Sequence, residues 1–494
     1  MKTVTGPTDR VIVVGAGLGG LAAALHLAGQ GRDVTILERE DIPGGRAGRL
    51  VDSGYTFDTG PTVLTMPELV ADAMGAVGEH LSDWLELAPL DPIYRTYYPD
   101  GSQLDVHAEP HRMAAEIESV IGADEAAGYL RYVDYLTGLY DAEFGDFIDR
   151  NTDRPWDLLT PNLVRLIRMG GFRRLDTKAR QFLKDPRTIR SLSFQAMYAG
   201  VSPFKALAIY GVISYMDSVA GVSVPKGGMH EIPLAMAGAA VKHGVTIQYG
   251  TNVRSIERTG RRATAVITDA GERFEADVVV VNADLPVAHR DLLGRDPWNI
   301  RRLTYSPSAF VMLIGSDKEY PATAHHNIHF GRAWRKTFHE LIDSKRLMSD
   351  PSLMVTHLSR DDPGLAPAGK HAYYVLLPTP NATADIDWSR SRDRYRDEAV
   401  RTLEARGYTD FGSGIEVEHL TTPQDWLDRG MAAGAPFASA HTFLQTGPFR
   451  PGNLWGENVV FTGSGTRPGV GVPMVLVSGR LAAERITGPT RVGQ

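Results

Sequence analysis

The residues with the clearest chemical bearing stand near the start of the chain. Gly15-Ala16-Gly17-Leu18-Gly19-Gly20 has the spacing Gly-x-Gly-x-x-Gly, and Glu38 follows Gly20 by 18 residues. Glycines so spaced permit a tight turn, close approach of a pyrophosphate to the backbone, and close packing of a helix on a strand. A helix starting there turns free N–H groups and the positive end of its dipole toward the phosphates. An acid at the end of the next strand accepts hydrogen bonds from a ribose diol. The chemistry is dinucleotide binding, with NAD and FAD both open at this point. Just beyond lies Pro43-Gly44-Gly45-Arg46-Ala47-Gly48. An arginine on such a turn reaches back to a pyrophosphate with its planar fork. Phe57-Asp58-Thr59-Gly60-Pro61-Thr62 offers a rigid turn of little bulk, suited to lie against a flat ring.

The elements that must position these residues are legible around them. Val11-Ile12-Val13-Val14 is a β-branched run, as a buried parallel strand requires. A helical pattern through Leu21, Leu25 and Leu27 ends at Gly29 or Gly31, and Val34–Leu37 reads as the second strand. Residues 68–200 read as mostly helical, with a break at Pro99-Asp100-Gly101. Short strands are expected at 245–249, 253–258, 263–268 and 276–281, with Asp269-Ala270-Gly271 as a hairpin turn. Residues 305–380 read as strands with one helix, and 390–406 as a charged, exposed helix. The end of the chain returns to the opening style, with a strand at 459–461, a glycine-rich turn, and a helix from about 472 to 486. This alternation predicts two interleaved domains, the nucleotide-binding one assembled from the start, middle and end of the chain.

Composition narrows the classes. Of 494 residues, 43% are hydrophobic and 22% charged, which excludes a mainly disordered chain. The net charge of −7 speaks against a general nucleic-acid binder. There are no cysteines, so disulfides, thiolate metal sites, cysteine nucleophiles and a cysteinyl-linked flavin are excluded. MKTVTGPTDR lacks the features of a signal peptide, and no apolar run approaches the ~18 residues of a membrane span. The expectation is a cytoplasmic protein, soluble or peripherally bound to the membrane. His325, His326 and His329 lie in a strand-like stretch without a carboxylate pair, so no metal is expected. No serine nucleophile elbow is present.

With these motifs in place, the run VIVVGAGLGGLAAALHLAGQGRDVTILERED, then GGRAG and SGYTFDTGPTVLTMPE, resembles the FAD-dependent carotenoid desaturases of bacterial phytoene-desaturase type. LSFQAMYAGVSPF, VPKGGMHEIP and the closing NVVFTGSGTRPGVGVPMVLVSGRLAAERI are also similar to that family, so the resemblance covers nearly the whole chain. It implies an α/β fold, with a Rossmann-like FAD-binding domain of the amine-oxidase/glutathione-reductase type. This domain would be interleaved with a mixed β-sheet plus helical substrate and membrane domain. The FAD domain would comprise 1–90, 226–295 and 431–494; the substrate domain would comprise 91–225 and 296–430.

The resemblance also implies roles. Gly15, Ala16, Gly17 and Gly20 would hold the pyrophosphate, Glu38 the adenosine ribose with Arg39 beside it, and Gly45 and Arg46 the phosphate region. Pro61 and Thr62 would lie near the isoalloxazine, and Val253 at the adenine. Gly463 and Gly465 would pass the ribityl chain, and Gly471, Val472, Pro473 and Met474 the pyrimidine edge. There a helix N-terminus stabilises the negative charge of reduced flavin. Ser464 and Val470 stand where many relatives carry alanine. Sister carotenoid-pathway flavoenzymes, later-step desaturases and oxygenases, share the pattern. Non-catalytic prenyl-binding proteins share the fold, but the complete cofactor set separates this chain from them.

The implied reaction is desaturation of phytoene toward lycopene, by hydride transfer to flavin with loss of a neighbouring proton. The final electron acceptor would be oxygen or a quinone. Asp157, among apolar residues ahead of a helix, is the first choice for proton acceptor, with helix capping as its other reading. Asp217 and Asp58 are weaker choices, and the flavin could itself assist. A C40 hydrocarbon lives in a membrane, so a membrane-surface partner is expected. Residues 161–184 hold seven Lys/Arg and one Asp, interleaved with Leu163, Val164, Leu166, Ile167, Met169 and Phe172. That mixture suits an interfacial helix, or an ordinary amphipathic one packed on the protein.

Overall fold

A computed structural model describes residues 1–489. Strand β1 (Arg10–Val14) lies between β2 (Asp33–Leu37) and the strand Val278–Val281, both parallel to it. Val11–Val14 and Val278–Val281 are buried throughout, as strands covered on both faces must be. Val459–Phe461 and Thr246–Gln248 extend the parallel set, and Leu454–Trp455 closes one edge antiparallel. Helix α1 (Leu18–Ala28) covers this sheet, and the C-terminal helix Val472–Thr487 packs on α1. Gly479 sets that approach, because a Cβ there would stand 2.6 Å from the Gly19 carbonyl oxygen.

A second, seven-stranded sheet has the order 415–421, 308–316, 371–379, 353–357, 326–329, 94–97, 103–106. Its neighbours are antiparallel except His326–His329 against Tyr94–Tyr97. The hairpin of β3 (Arg49–Asp52) and β4 (Tyr55–Asp58) packs against it, the Tyr55 ring filling the space left by Gly315. Helices from Pro110–Val120 to Gly211–Ser218 form a cap beside the sheets.

Two sequence expectations change. The residues on either side of the break at 99–101, expected to be helical, are strands instead: Leu87–Pro89, Tyr94–Tyr97 and Gln103–Val106. Tyr94 and Thr96 are buried, as are Leu104 and Val106, which is the period of two. Pro99-Asp100-Gly101 is therefore a hairpin turn, with Gly101 at φ +85°. The charged helix at Trp388–Glu404 is exposed on one face only; Trp388, Tyr395, Ala399, Val400 and Leu403 bury the other.

Candidate functional site

Directly after β1 comes Gly15, whose φ of +99° turns the chain toward α1. A Cβ on Gly20 would stand 2.1 Å from the Gly15 carbonyl oxygen, so only glycine keeps this turn closed. Asn282, directly after the Val278–Val281 strand, backs the turn. With its amide oxygen toward α1 it accepts from the N–H groups of Gly17 and Gly20, each at 3.2 Å. Asn282 thus takes two N–H groups at the start of α1, and those of Leu18 and Gly19 remain available to an anion. At the end of β2, buried Glu38 accepts the N–H of Ala16 at 2.6 Å and of Glu40 at 3.0 Å. The glycine-rich turn docks beside it through the Gly44 N–H on the Ala16 carbonyl at 2.8 Å.

These groups border one cavity of about 1580 Å3. Gly15, Gly17, Glu38, Arg39, Gly45 and Arg46 lie on its wall with Val253, while Ala16 and Gly20 stand just behind it. Pro61 and Thr62 line it from the turn after β4, and Gly463, Gly465, Gly471, Val472, Pro473 and Met474 from the closing loop. The helix starting at Val472 has no side-chain cap, so a second helix N-terminus opens into the same space. A cradle that a Cβ would fill, two helix N-termini facing it and a buried carboxylate on the ribose side fit FAD.

Asp284 was not singled out in the sequence, and Ser464 was noted there only as standing where many relatives carry alanine; both neighbour Arg46. Its Nη2 donates to Asp284 at 2.9 Å, and Nη1 donates to the hydroxyl of Ser464. The Asp284 side chain is only 6% exposed, and burial raises its pKa against the opposing pull of Arg46. Asn282 and Asp284 both follow the carboxyl end of a parallel strand, where α/β folds gather their ligands. That position was a usable signal. Arg39 turns outward, donating to the Arg429 carbonyl at 2.7 Å.

Beyond Thr62 the cavity continues as a tunnel walled by Phe147, Leu163, Leu166, Ile209, Val212 and Met216. Leu159, Phe172, Phe443 and Phe449 line it and are also 75%, 43%, 58% and 56% exposed. Side chains that face both the cavity and the exterior mark its mouth. The volume exceeds the ~300–1000 Å3 of an ordinary small-molecule pocket, leaving room for a long substrate beside a cofactor.

Asp157 lies off the cavity wall, in the short turn Pro155–Leu158. Its Oδ2 accepts the N–H groups of Asp153 at 2.9 Å and Arg154 at 3.0 Å, which hold its carboxyl below the usual range. It is a cap, and the assignment as proton acceptor is corrected accordingly. Asp58 is pushed up to about 7 by burial, yet it too is off the wall, accepting from Met229 and His230 N–H groups. Asp217 does line the tunnel; burial pushes it up to about 7 while Tyr94 donates to it at 2.9 Å. Glu143 and His441, neither singled out in the sequence, line it as well. His325, His326 and His329 lie apart and bond to Asp361, Thr356 and Tyr408. Among the described residues no group of three metal-ligating side chains converges.

Fold and site together define an FAD-dependent oxidoreductase. The family model for flavin containing amine oxidoreductase matches residues 18–487. The chain is 55% identical to a phytoene dehydrogenase of Streptomyces griseus, covering 99% of this chain and 97% of that protein. It is 38% identical to a zeta-carotene-forming phytoene desaturase of Myxococcus xanthus, over 97% and 93% of the two chains. The solved structure of cyclohexylamine oxidase from Brevibacterium oxydans shares the fold, with a TM-score of 0.61 at 15% identity over 97% of this chain and 99% of that one. The chain belongs to the flavin-containing amine oxidoreductase family, among its carotenoid desaturases.

Proposed function

We propose that this chain desaturates phytoene, or a phytoene-like C40 hydrocarbon, toward lycopene while resting on a membrane surface. The observation that carries the reading is the single cavity joining the dinucleotide cradle to an apolar tunnel with an exposed apolar mouth. The relatives of Streptomyces griseus and Myxococcus xanthus are named for phytoene, and the tunnel lining suits a substrate without polar groups. Bound FAD supplies the electron sink for removing two hydrogens. The protein's own contribution is to hold the chain in register beside the cofactor, exclude water, and accept a proton. Gly15, Gly17, Glu38 and Arg46 would bind the adenosine diphosphate part; Pro61, Thr62 and Gly471–Met474 would border the ring. The FAD domain would then be 1–90, 226–295 and 431–494, with the remainder forming the tunnel.

Membrane contact follows from the mouth. Trp156, Leu159, Val164, Ile167 and Phe172 are exposed together beside Arg165, Arg168 and Arg173, and Phe443, Leu444 and Phe449 are exposed on the neighbouring loop. Apolar side chains among cations suit a peripheral seat on anionic lipid. No helix among the described residues is long and apolar enough to cross a membrane. The test is expression in cells that accumulate colourless phytoene, followed by chromatography of the pigments. A coloured polyene is the expected result, and its chromophore length counts the steps. Unchanged phytoene beside folded, flavin-loaded protein would refute the substrate assignment.

A further inference from the structure

Removal of hydrogen from a hydrocarbon leaves a proton to be accepted, and the tunnel wall carries few groups able to take it. Glu143 is buried, its Oε1 has no partner, and burial pushes its pKa well above the carboxylate range, which disfavours the ionised form a proton acceptor needs. Asp217 is occupied by the hydroxyls of Tyr94 and Ser218.

His441 is different. Its backbone N–H donates to the Ala199 carbonyl at 2.8 Å, and Gln445 clamps the preceding residue through the Ala440 carbonyl at 2.8 Å. Below it, the buried Arg450 guanidinium donates to the carbonyls of Ser439, Gln445, Ser464 and Thr466. That fan of bonds ties the 439–450 loop to the loop bordering the cofactor space. The imidazole packs edge-on to Tyr210, ring centroids 5.6 Å apart, and lies over Gly469. A Cβ at 469 would stand 2.2 Å from His441 Cε1, so glycine there is what admits the ring. Nε2 is sealed in without a partner, which leaves Nδ1 as the ring nitrogen open to the cavity. Burial, reinforced by the Arg450 charge, drives the imidazole pKa well below its ordinary value. The ring is therefore a neutral base in the resting protein, rigidly mounted at the junction of cofactor space and tunnel.

We propose that His441 is the proton acceptor of the desaturation. This rests on the desaturase reading above. FAD held in the cradle would supply the two-electron sink for the electron pair of the first C–H bond. The C–H on the neighbouring carbon then breaks, its electron pair closes the new double bond, and its proton goes to Nδ1 of His441. The imidazolium releases that proton to water once the product has left. A weak base suffices, because positive charge developing beside the double bonds makes the second C–H strongly acidic. A neutral acceptor also adds no repulsion to that charge, as a cation would.

The test uses full-length, FAD-loaded protein mixed without oxygen with phytoene in liposomes, following the loss of flavin absorbance. Bleaching of the parent checks the desaturase reading; its absence would overturn that reading and this one with it. With a parent that bleaches, His441→Gln should slow the step by ~10²–10⁴-fold with FAD affinity unchanged. Deuterium on the proton-losing carbon should then give a larger isotope effect than in the parent. His441→Ala should recover rate on addition of free imidazole, a response that a merely structural histidine would not give. Histidine ring-nitrogen resonances of the resting protein should report a neutral imidazole. Bleaching at the parental rate, or a loss explained entirely by weaker FAD binding without imidazole rescue, would overturn the assignment.

Discussion

Replacing Arg46 with alanine asks whether the glycine-rich turn delivers a charge to the cofactor. Its guanidinium bridges two loops, donating to Asp284 at 2.9 Å and to the Ser464 hydroxyl. Because the Arg46 side chain is 31% exposed, solvent screens much of the pair's value to stability. The larger effect should fall on binding. A charge-assisted contact to a phosphate is worth ~1.5–3 kcal/mol, or roughly ten- to hundredfold in FAD affinity. Arg46→Ala has a second consequence. It leaves the Asp284 carboxyl, whose Oδ1 already lacks a partner, without its counter-charge beside an anionic ligand. Asp284→Asn should remove that repulsion, so the double variant should bind FAD more tightly than Arg46→Ala alone. Flavin-fluorescence titration of the parent, both single variants and the double variant closes the cycle. Parental affinity in Arg46→Ala would refute the placement of Arg46 on the cofactor. Strict additivity would refute the coupling to Asp284.

Other outcomes follow from the same geometry. Asp217 rises from 3.8 to about 7 on burial, so folding favours its protonated form. The cost of its buried charge is complete above about pH 7 and fades as pH falls toward 3.8. Asp217→Asn should therefore gain stability over the parent at alkaline pH, by up to ~4 kcal/mol at ~1.36 kcal/mol per pKa unit, with the gap closing in acid. Urea denaturation at both ends of that range reads it, and a pH-independent difference would refute the assignment. Gly479→Ala should destabilise by ~1–3 kcal/mol, since its Cβ would meet the Gly19 carbonyl and Ala22. It should also loosen FAD, because α1 would be pushed from the cradle; thermal melts and flavin retention test both. Leu159→Glu with Ile167→Glu should abolish flotation with anionic liposomes while leaving FAD content intact. Undiminished flotation would remove the mouth from the membrane contact.

What could be read in advance was what chain-local spacing encodes. Gly15, Gly17, Gly20 and Glu38 lie within 24 residues, and each is needed for the turn or its ribose partner, so the motif carries its own geometry. The closing glycine run and final helix were legible for the same reason. The strands at 94–106 were not, because Tyr94–Tyr97 and Gln103–Val106 have only four residues each and sit before a long helical stretch. Asp157 shows the converse problem. An acid two residues after proline, ahead of a helix, looks the same whether it faces a tunnel or caps a turn; only the N–H groups of Asp153 and Arg154 decide.

The tunnel itself has no sequence signature, because it is made of distances across the chain. His441 acquires its setting from Ala199, Tyr210, Arg450 and Gly469, which come from both the helical cap and the cofactor loop. None of these residues would attract notice singly: a histidine in a loop, a tyrosine in a helical stretch, an arginine before proline, one glycine among many. Their meaning comes from burial. Arg450 is 1% exposed with only carbonyl partners, so its charge is spent on holding the loops and on keeping the imidazole neutral. Chemistry on a hydrocarbon leaves no polar handle to recognise, so selectivity has to come from shape, and the few polar groups left on the wall are the ones to which a chemical task can be assigned.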